Sequence, residues 1–428
     1  MKIKRQLKLK PTYKNEGVTL KSKKGLALAA VASIPLVMTL GNSMLIPVLP
    51  TMEKALGITA FQSSLILTVY SIVAILLIPV AGYMSDRWGR KKIIIPSLII
   101  AGIGGIISGY AAWKLHDAAF PIILVGRFFQ GVGAAGAAPI VLPLVGDMFD
   151  SEEEVSSGLG TVETSNTFGK VLSPILGAAL ATVFWFFPFW AFPVFCLISI
   201  IAMMVFVKVP PSNESPPPLK EYIKSIKAIF KREGRWLTAV FFIGGLCIFV
   251  IFGVLFYLST ILEERYQIAG VQKGFVLAIP LMALCAASYF AGRHIKESKP
   301  LMKWVTFVGL LLLTAGVSVL AFVQGLYILL TALFISGIGI GAALPCLDAL
   351  ITEGIEKEQR GIITAVYSSI RFIGVAAAPP LAAILMEISQ KSLFFTLAGM
   401  SFVGICCTLF IHPEQEQREK GRPKPNTI

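Results

Sequence analysis

The chain has little charge for its size. Asp, Glu, Lys and Arg make up only 14% of its 428 residues, against roughly 25% in an ordinary soluble protein. It has three histidines, His116, His294 and His412, each at the edge of an apolar segment. Its six cysteines (Cys196, Cys247, Cys285, Cys346, Cys406 and Cys407) all lie in apolar runs, with no CxxC and no histidine at ligand spacing. This excludes a disulfide-stapled secreted domain and gives no reason to expect a metal site or a histidine-based triad. The thiols read as free and buried. No GxxxxGK[ST] occurs, since Gly169-Lys170 is followed by Val171, so an ATP-driven pump is disfavoured. Neither HExxH nor GxSxG occurs, which argues against an integral-membrane enzyme. No cofactor is expected.

What the chain has instead is apolar surface. Apolar residues reach 55% and the mean hydropathy is +0.77. A soluble fold has too little interior for that much apolar side chain, so lipid must be the solvent for most of it. A membrane-crossing helix needs about 20 mostly apolar residues. Twelve such spans can be read, at 26–50, 61–82, 93–112, 119–145, 156–182, 184–207, 236–260, 272–292, 302–322, 325–349, 361–386 and 392–412. Between spans 6 and 7 lies a polar stretch containing Pro210-Pro211-Ser212-Asn213-Glu214-Ser215-Pro216-Pro217-Pro218, which reads as a linker. The expected organisation is a basic tail (1–25), a six-helix bundle (26–207), a cytoplasmic linker (208–235), a second six-helix bundle (236–412) and a tail (413–428). The lysine-rich piece Lys220 to Arg235 has the make-up of an amphipathic helix at the membrane surface.

The net charge of +14 is an orientation signal and implies no nucleic-acid partner. With the N-terminus inside, 30 Lys/Arg fall in cytoplasmic segments and five (Lys54, Lys114, Arg265, Lys273 and Lys391) on the other side. Both termini are therefore expected in the cytoplasm. The basic N-terminus and its apolar run resemble a signal peptide at first sight. The run is too long for a cleaved segment and contains Pro35, Pro47 and Pro50, so it reads as an uncleaved first span.

The two halves repeat. A shift of 206 residues lays Gly82-Tyr83 on Ser288-Tyr289, Arg87 on Arg293 and Arg90 on Lys296. It also carries Gly131-x-Gly133 onto Gly337-x-Gly339, Pro139 onto Pro345, Asp147 onto Glu353 and Pro174 onto Pro380. Two parallel six-helix repeats with a substrate site at their midplane interface describe an alternating-access transporter.

Three motifs sharpen this. Between spans 2 and 3 stands Gly82-Tyr83-Met84-Ser85-Asp86-Arg87-Trp88-Gly89-Arg90-Lys91-Lys92. It resembles the signature loop of the major facilitator superfamily, G-x-x-x-D-R-x-G-R-[KR]-[KR]. Arg127-Phe128-Phe129-Gln130-Gly131-x-Gly133 in span 4 is similar to that family's R-x-x-Q-G-x-G. Span 5 carries Gly160-x8-Gly169-x3-Ser173-Pro174-x2-Gly177-Ala178, which resembles the antiporter motif G-x8-G-x3-G-P-x2-G-G of its twelve-helix drug:proton antiporter branch. The motif departs from that pattern at Ser173 and Ala178, both small enough for close helix packing. The resemblance implies an all-α integral membrane protein of the major facilitator fold, with twelve transmembrane helices as two pseudo-symmetric six-helix bundles. It also implies that Gly82, Asp86, Arg87, Gly89 and Arg90 form a conformational lock, joined by Asp147. The second-half loop lacks the acid, having Gly292 where the first half has Asp86.

Ionisable groups inside a membrane are expensive and are functional candidates by default. Arg127, Glu163, Lys170 and Arg371 fall inside spans, and Asp348 lies near the inner end of span 10. On span 5, Asn166, Thr167 and Lys170 follow Glu163 at i+3, i+4 and i+7, giving a polar stripe. Glu163 and Lys170 are about 10 Å apart along the axis, too far to pair directly. Glu163 and Arg371 lie at similar depth and are expected to face one another. A carboxyl group whose burial and nearby cation change between two states can take up and release a proton. Glu163, Arg127, Arg371 and Asp348 are thus the proton-coupling candidates, with Asp348 also readable as a solvated helix-end charge. Many antiporters of the branch carry an acid in helix 1, where this chain has Asn42. Asn42 cannot carry a proton, and with Asn166, Lys170 and Phe249 it is a candidate for the substrate cavity. The aromatic run Phe184 to Trp190 reads as an interfacial belt.

The function expected is secondary active export of small hydrophobic or amphiphilic molecules, in exchange for protons, by a monomer in the cell membrane. The alternatives are a dedicated exporter of one metabolite, such as a siderophore or a lipid-linked sugar, and an uptake symporter, against which the span 5 motif argues. Because cations outnumber acids among the embedded groups, weakly acidic or zwitterionic substrates are as plausible as lipophilic cations.

Overall fold

Lipid offers the backbone no hydrogen-bond partner, so a chain this apolar must satisfy its own amides, and helices do so segment by segment. The computed structural model describes residues 14–149, 151–208, 219–295, 298–323, 325–355 and 357–411, and among them there is no strand. The segment 209–218 of the expected linker, the first 13 residues and the tail from 412 lie outside the described residues.

All twelve expected spans are helical. Spans 1 to 6 are Lys14–Ser43 continued by Leu49–Leu56, then Ala60–Trp88, Arg90–Lys114, Ala119–Ala137 continued by Val141–Met148, Glu152–Ala181 and Phe187–Phe206. Spans 7 to 12 are Leu219–Glu264, Gly270–His294, Lys299–Leu320, Leu326–Gly354, Lys357–Ile388 and Gln390–Thr408. Among the described residues, 11 helices are long and apolar enough to cross a membrane. Span 5 falls outside that count because Glu163, Asn166, Lys170 and their threonine neighbours dilute its hydropathy along 30 residues. Prolines account for two breaks: span 1 is interrupted by a 3-10 turn holding Pro47, and span 4 by a turn at Pro139. The basic piece expected on the membrane surface runs from Leu219 into span 7 without a break.

The repeat is realised in the packing. Spans 1–5, 1–6, 2–4, 3–4 and 3–6 pack together in the first half, and 7–11, 7–12, 8–10, 9–10 and 9–12 in the second. These are the same pairs advanced by six. Glycines at the offset of 206 occupy equivalent crossings. A side chain at Gly131 would strike the Tyr70 carbonyl of span 2, and one at Gly337 the Pro280 carbonyl of span 8. Gly133 meets span 3 at the Ser97 carbonyl, and Gly339 meets span 9 at the Gly309 carbonyl. Without a hydrophobic drive between helices in lipid, such close backbone approach supplies the association energy through van der Waals contact.

Across the halves, span 2 packs on span 11 and span 5 on span 8. Large apolar side chains such as Leu76, Met204, Val205 and Phe402 stay exposed on the outside, as a lipid-facing surface requires. The thiols are less uniformly buried than expected. Cys406 is exposed and Cys285 and Cys407 are half-buried.

Candidate functional site

The described chain starts and stops on one face of the molecule, called here the terminal face. Bonds that join the two halves lie toward the opposite, far face. Ser259 donates to the Ile46 carbonyl (2.7 Å), and Thr68 donates to the Ala376 carbonyl (2.8 Å). Lys54 of span 1 meets Glu263 of span 7 at 2.7 Å, and the same carboxylate meets the buried Lys273 of span 8 at 3.0 Å. Lys54, Glu263 and Lys273 carry no motif, and the sequence reading puts the two lysines on the far side without pairing them. Only their place at the ends of spans 1, 7 and 8 could have marked them.

Inside this seal lies a narrow cleft, open at its mouth. Span 7 supplies Ile248, Ile251, Phe252 and Leu255, and span 8 supplies Leu277, Leu281 and Leu284. Span 1 adds Ser43 and Ile46, and span 5 adds Pro174 and Lys170. The cleft is apolar, with one charged side chain. Of the four substrate-cavity candidates, Lys170 lines it. Phe249 does not: it is buried in the core, 6% exposed, and Phe252 three residues on takes the lining place. Asn42 is buried against Arg127, and Asn166 accepts a hydrogen bond from Thr39 of span 1 at 2.7 Å.

Arg127 is fully buried. Its Nε donates to the Ile66 carbonyl at 2.7 Å and its Nη1 to the Gly41 carbonyl at 3.1 Å. It also donates to the side chains of Gln130 and Asn42, and its guanidinium lies 4.5 Å from the Tyr70 ring centroid. Span 4 is thereby tied to spans 1 and 2. A five-donor guanidinium satisfied by fixed oxygens is a structural knot in form.

The remaining embedded charges gather elsewhere. Arg371 of span 11 pairs with Asp348 of span 10 at 3.5 Å, and its guanidinium lies 5.6 Å from the Tyr367 ring. The expected Glu163–Arg371 ion pair is thus replaced by an Asp348–Arg371 pair, and Asp348 is no lone helix-end charge. Spans 10 and 11 belong to the same half, so their side chains meet without crossing the cleft. Glu163 is exposed and is held loosely, 3.5 Å from the Asn166 amide and 3.4 Å from the Thr167 hydroxyl. It still acts electrostatically on Lys170, Asp348 and Arg371.

The span 5 motif works as a seam. A side chain at Gly177 would overlap the Met44 carbonyl of span 1, and one at Gly169 would stand 3.0 Å from Leu36. Ser173 folds back to donate to the Gly169 carbonyl at 2.6 Å. Pro174 presents its carbonyl to Gly274 of span 8, where an added methyl would stand 2.6 Å from it. Gly160 faces open space. The motif therefore brings span 5 close to span 1 within its own half and to span 8 across the interface.

At the terminal face, Gly89 takes φ +99°, a conformation open to glycine, and so turns span 2 directly into span 3. Arg90 is the hub there. It pairs with Asp86, donates from Nε to Asp147 at 3.1 Å and from Nη1 to Ser85 at 2.8 Å. Lys91 donates to the Val207 carbonyl at the end of span 6, 2.7 Å away. Arg87 is exposed, and Gly82 faces open space. Asp86, Arg90 and Asp147 thus form one ionic cluster within the first half, while Gly82 leaves room for another element to approach. Among the described residues, no group of three or more His, Cys, Asp or Glu is arranged to hold a metal ion.

This architecture has close counterparts. The chain is 53% identical over 396 residues (92% of this chain, 98% of the relative) to the "Bacillibactin exporter" of Bacillus subtilis (strain 168). It is 24% identical over 377 residues (86% and 91%) to "Multidrug resistance protein 2" of the same organism. In fold it resembles the human organic anion transporter MFSD10, with TM-score 0.72 at 17% identity over 90% of this chain and 99% of that one. It also resembles a bacterial homologue of the lysosomal transporter Spinster in an inward-facing, occupied conformation, with TM-score 0.70 at 15% identity over 94% and 99%. Residues 31–307 and 302–427 match the description of the Major Facilitator Superfamily, and the chain belongs to that family of membrane transporters.

Proposed function

We propose that this chain exports small amphiphilic molecules from the cytoplasm by alternating access, in exchange for protons. The observation that carries the reading is the cleft itself. It is apolar, sealed toward the far face by bonds between the halves, and accompanied by a group of ionisable side chains on spans 5, 10 and 11. A rocking motion that breaks the far-face bonds and closes the terminal face would move the cleft's opening from one side to the other. The lysine and arginine asymmetry supports a cytoplasmic terminal face, and in this reading the protein works as a monomer in the cell membrane. Gly82 and the Asp86–Arg90–Asp147 cluster would then receive the second half when the cytoplasmic side closes.

In this reading Glu163 and the Asp348–Arg371 pair carry the proton. A carboxylate that exchanges a cationic partner or its water contact during the motion binds a proton in one state and releases it in the other. A narrower second reading, a dedicated exporter of one siderophore, is favoured by the 53% identity to the bacillibactin exporter.

The test uses everted membrane vesicles, acidified inside and followed with a pH-quenched dye. Cationic, zwitterionic and anionic compounds are added in turn. Proton release by several unrelated compounds, abolished in Glu163→Gln or Asp348→Asn, is the expected result. Release by one siderophore alone selects the dedicated exporter. A gradient that no compound dissipates, with folded protein present, overturns proton antiport.

A further inference from the structure

Lys170 stands out among the embedded charges. It lies 11 residues from the span 5 end at Ala181, roughly 17 Å at 1.5 Å per residue, so it sits deep within the span. It lines the cleft. Among the described residues it makes no hydrogen bond and no ion pair. The other titratable groups that act on it are Glu163, Arg371, Asp348 and Cys285. Each acid is otherwise engaged. Asp348 is paired with Arg371, and Glu163, about two helical turns nearer the terminal face than Lys170, is in contact with Asn166 and Thr167. An ammonium without a contact partner in a low-dielectric cleft is costly, and an arriving anion relieves that cost.

The cleft's shape gives the rest of the ligand. The walls beside Lys170 are Ile248, Ile251, Phe252 and Leu255 of span 7 and Leu277, Leu281 and Leu284 of span 8. They offer apolar burial and no acid. A molecule in the cleft would bury its apolar part on these walls and hold its charged end beside Lys170. Ser43 is the one other polar side chain on the lining.

We propose that the cleft is an organic-anion site: Lys170 is the counter-ion for an acidic group, a carboxylate or phenolate, on a molecule whose apolar body packs on spans 7 and 8. This deepens the export reading and names its substrate class, but the site can be tested without transport.

The experiment measures binding to the full chain in phosphatidylcholine nanodiscs, with protein-free nanodiscs as the blank. The probes share one fluorescent body: 1-pyrenebutyrate, its neutral amide, and 1-pyrenebutylammonium. The butyrate should bind about tenfold more tightly than the amide, with the ammonium weakest, as a charge contact out of water implies. Lys170→Gln should erase the anion preference and leave amide binding within about twofold, whereas Lys170→Arg should keep the preference. Phe252→Ala should weaken all three probes alike. Should Lys170→Gln fail to fold, the ranking of the three probes on the unmodified chain and on Lys170→Arg still decides. Absence of any anion preference, or its survival in Lys170→Gln, overturns the proposal. The two readings also separate in vesicles. Energised transport that ignores ligand charge overturns the anion site and leaves export standing. Lys170-dependent anion binding without energised transport supports the site and counts against export.

Discussion

Arg127 and Lys170 are both cations set deep in the first half, yet their surroundings differ in kind. Arg127 spends its donors on oxygens of spans 1, 2 and 4 and stacks on Tyr70. Lys170 faces an apolar cleft and makes no hydrogen bond or ion pair among the described residues. A sequence shows only that both are charged and embedded. Contact shows that one is satisfied where it stands and the other is not. A satisfied buried cation holds helices together, and an unsatisfied one keeps its binding capacity for something that arrives. The same contrast separates the two acids, since Asp348 has a guanidinium partner while Glu163 has only loose amide and hydroxyl neighbours.

The largest effect expected follows from breaking the satisfied site. Arg127→Leu would leave Asn42, Gln130 and the Tyr70 ring facing a void in a dry interior. Each buried polar group left without its donor should cost about 1–3 kcal/mol. Thermal unfolding in detergent should show a clear drop, with Arg127→Lys recovering part of it, since an ammonium is donor-rich but not planar. Lys170→Gln should leave the unfolding midpoint unchanged or raise it. Equal destabilisation by the two variants would sink the contrast. A smaller effect should come from the seam. At Gly177 a valine would overlap the Met44 carbonyl and should cost about 1–3 kcal/mol as an overpacked contact. At Gly160, where nothing lies within 4 Å, valine should leave stability within about 0.5 kcal/mol. Unfolding of the two variants side by side checks this, and similar midpoints would show that span 5 does not pack closely on span 1 at Gly177.

Most of the fold was legible in the sequence because lipid reduces the problem to length and hydropathy. Twelve apolar stretches became twelve helical spans, and the offset of 206 placed Gly131 and Gly337 at equivalent crossings. Span 5 was readable only with its motif, since its polar stripe lowers its hydropathy below that of the other spans. The site was legible in part. Residue type and depth marked Arg127, Glu163, Lys170, Asp348 and Arg371, but partners depend on helix rotation, which a one-dimensional pattern does not fix. Hence Arg371 was matched to Glu163 by depth when Asp348, on a neighbouring span, lay in reach. The rotation of span 7 likewise decides that Phe252 and not Phe249 lines the cleft. In the signature loop, sequence named Arg87 and Arg90 alike, and only the turn at Gly89 makes Arg90 the one that meets Asp86 and Asp147.

The smallest effect extends the comparison to the far face, where Lys54 and Lys273 share the Glu263 carboxylate. The Lys273 side chain is 2% exposed and the Lys54 side chain 66% exposed. Lys273 and Glu263 belong to the same half, so their contact holds spans 7 and 8 whichever way the molecule faces. Lys54 belongs to the other half, so its contact must break when the far face opens. Lys54→Gln should therefore act on the opening equilibrium and leave stability alone. An exposed ion pair is worth about 0.2–1 kcal/mol, so the shift toward the open far face should be no more than about fivefold. Labelling of an Ile46→Cys variant by a membrane-impermeant thiol reagent reads that shift, with the labelling of native cysteines subtracted. Because Lys54 is exposed although the Glu263 side chain is only 13% exposed, raising salt should weaken the pair by partial screening. High salt should thus increase labelling when Lys54 is present and add little once it is glutamine. Labelling that responds to salt equally in both would mean that Lys54 does not hold the halves together, and that the far face is closed by the Ser259–Ile46 and Thr68–Ala376 bonds and the apolar packing around them.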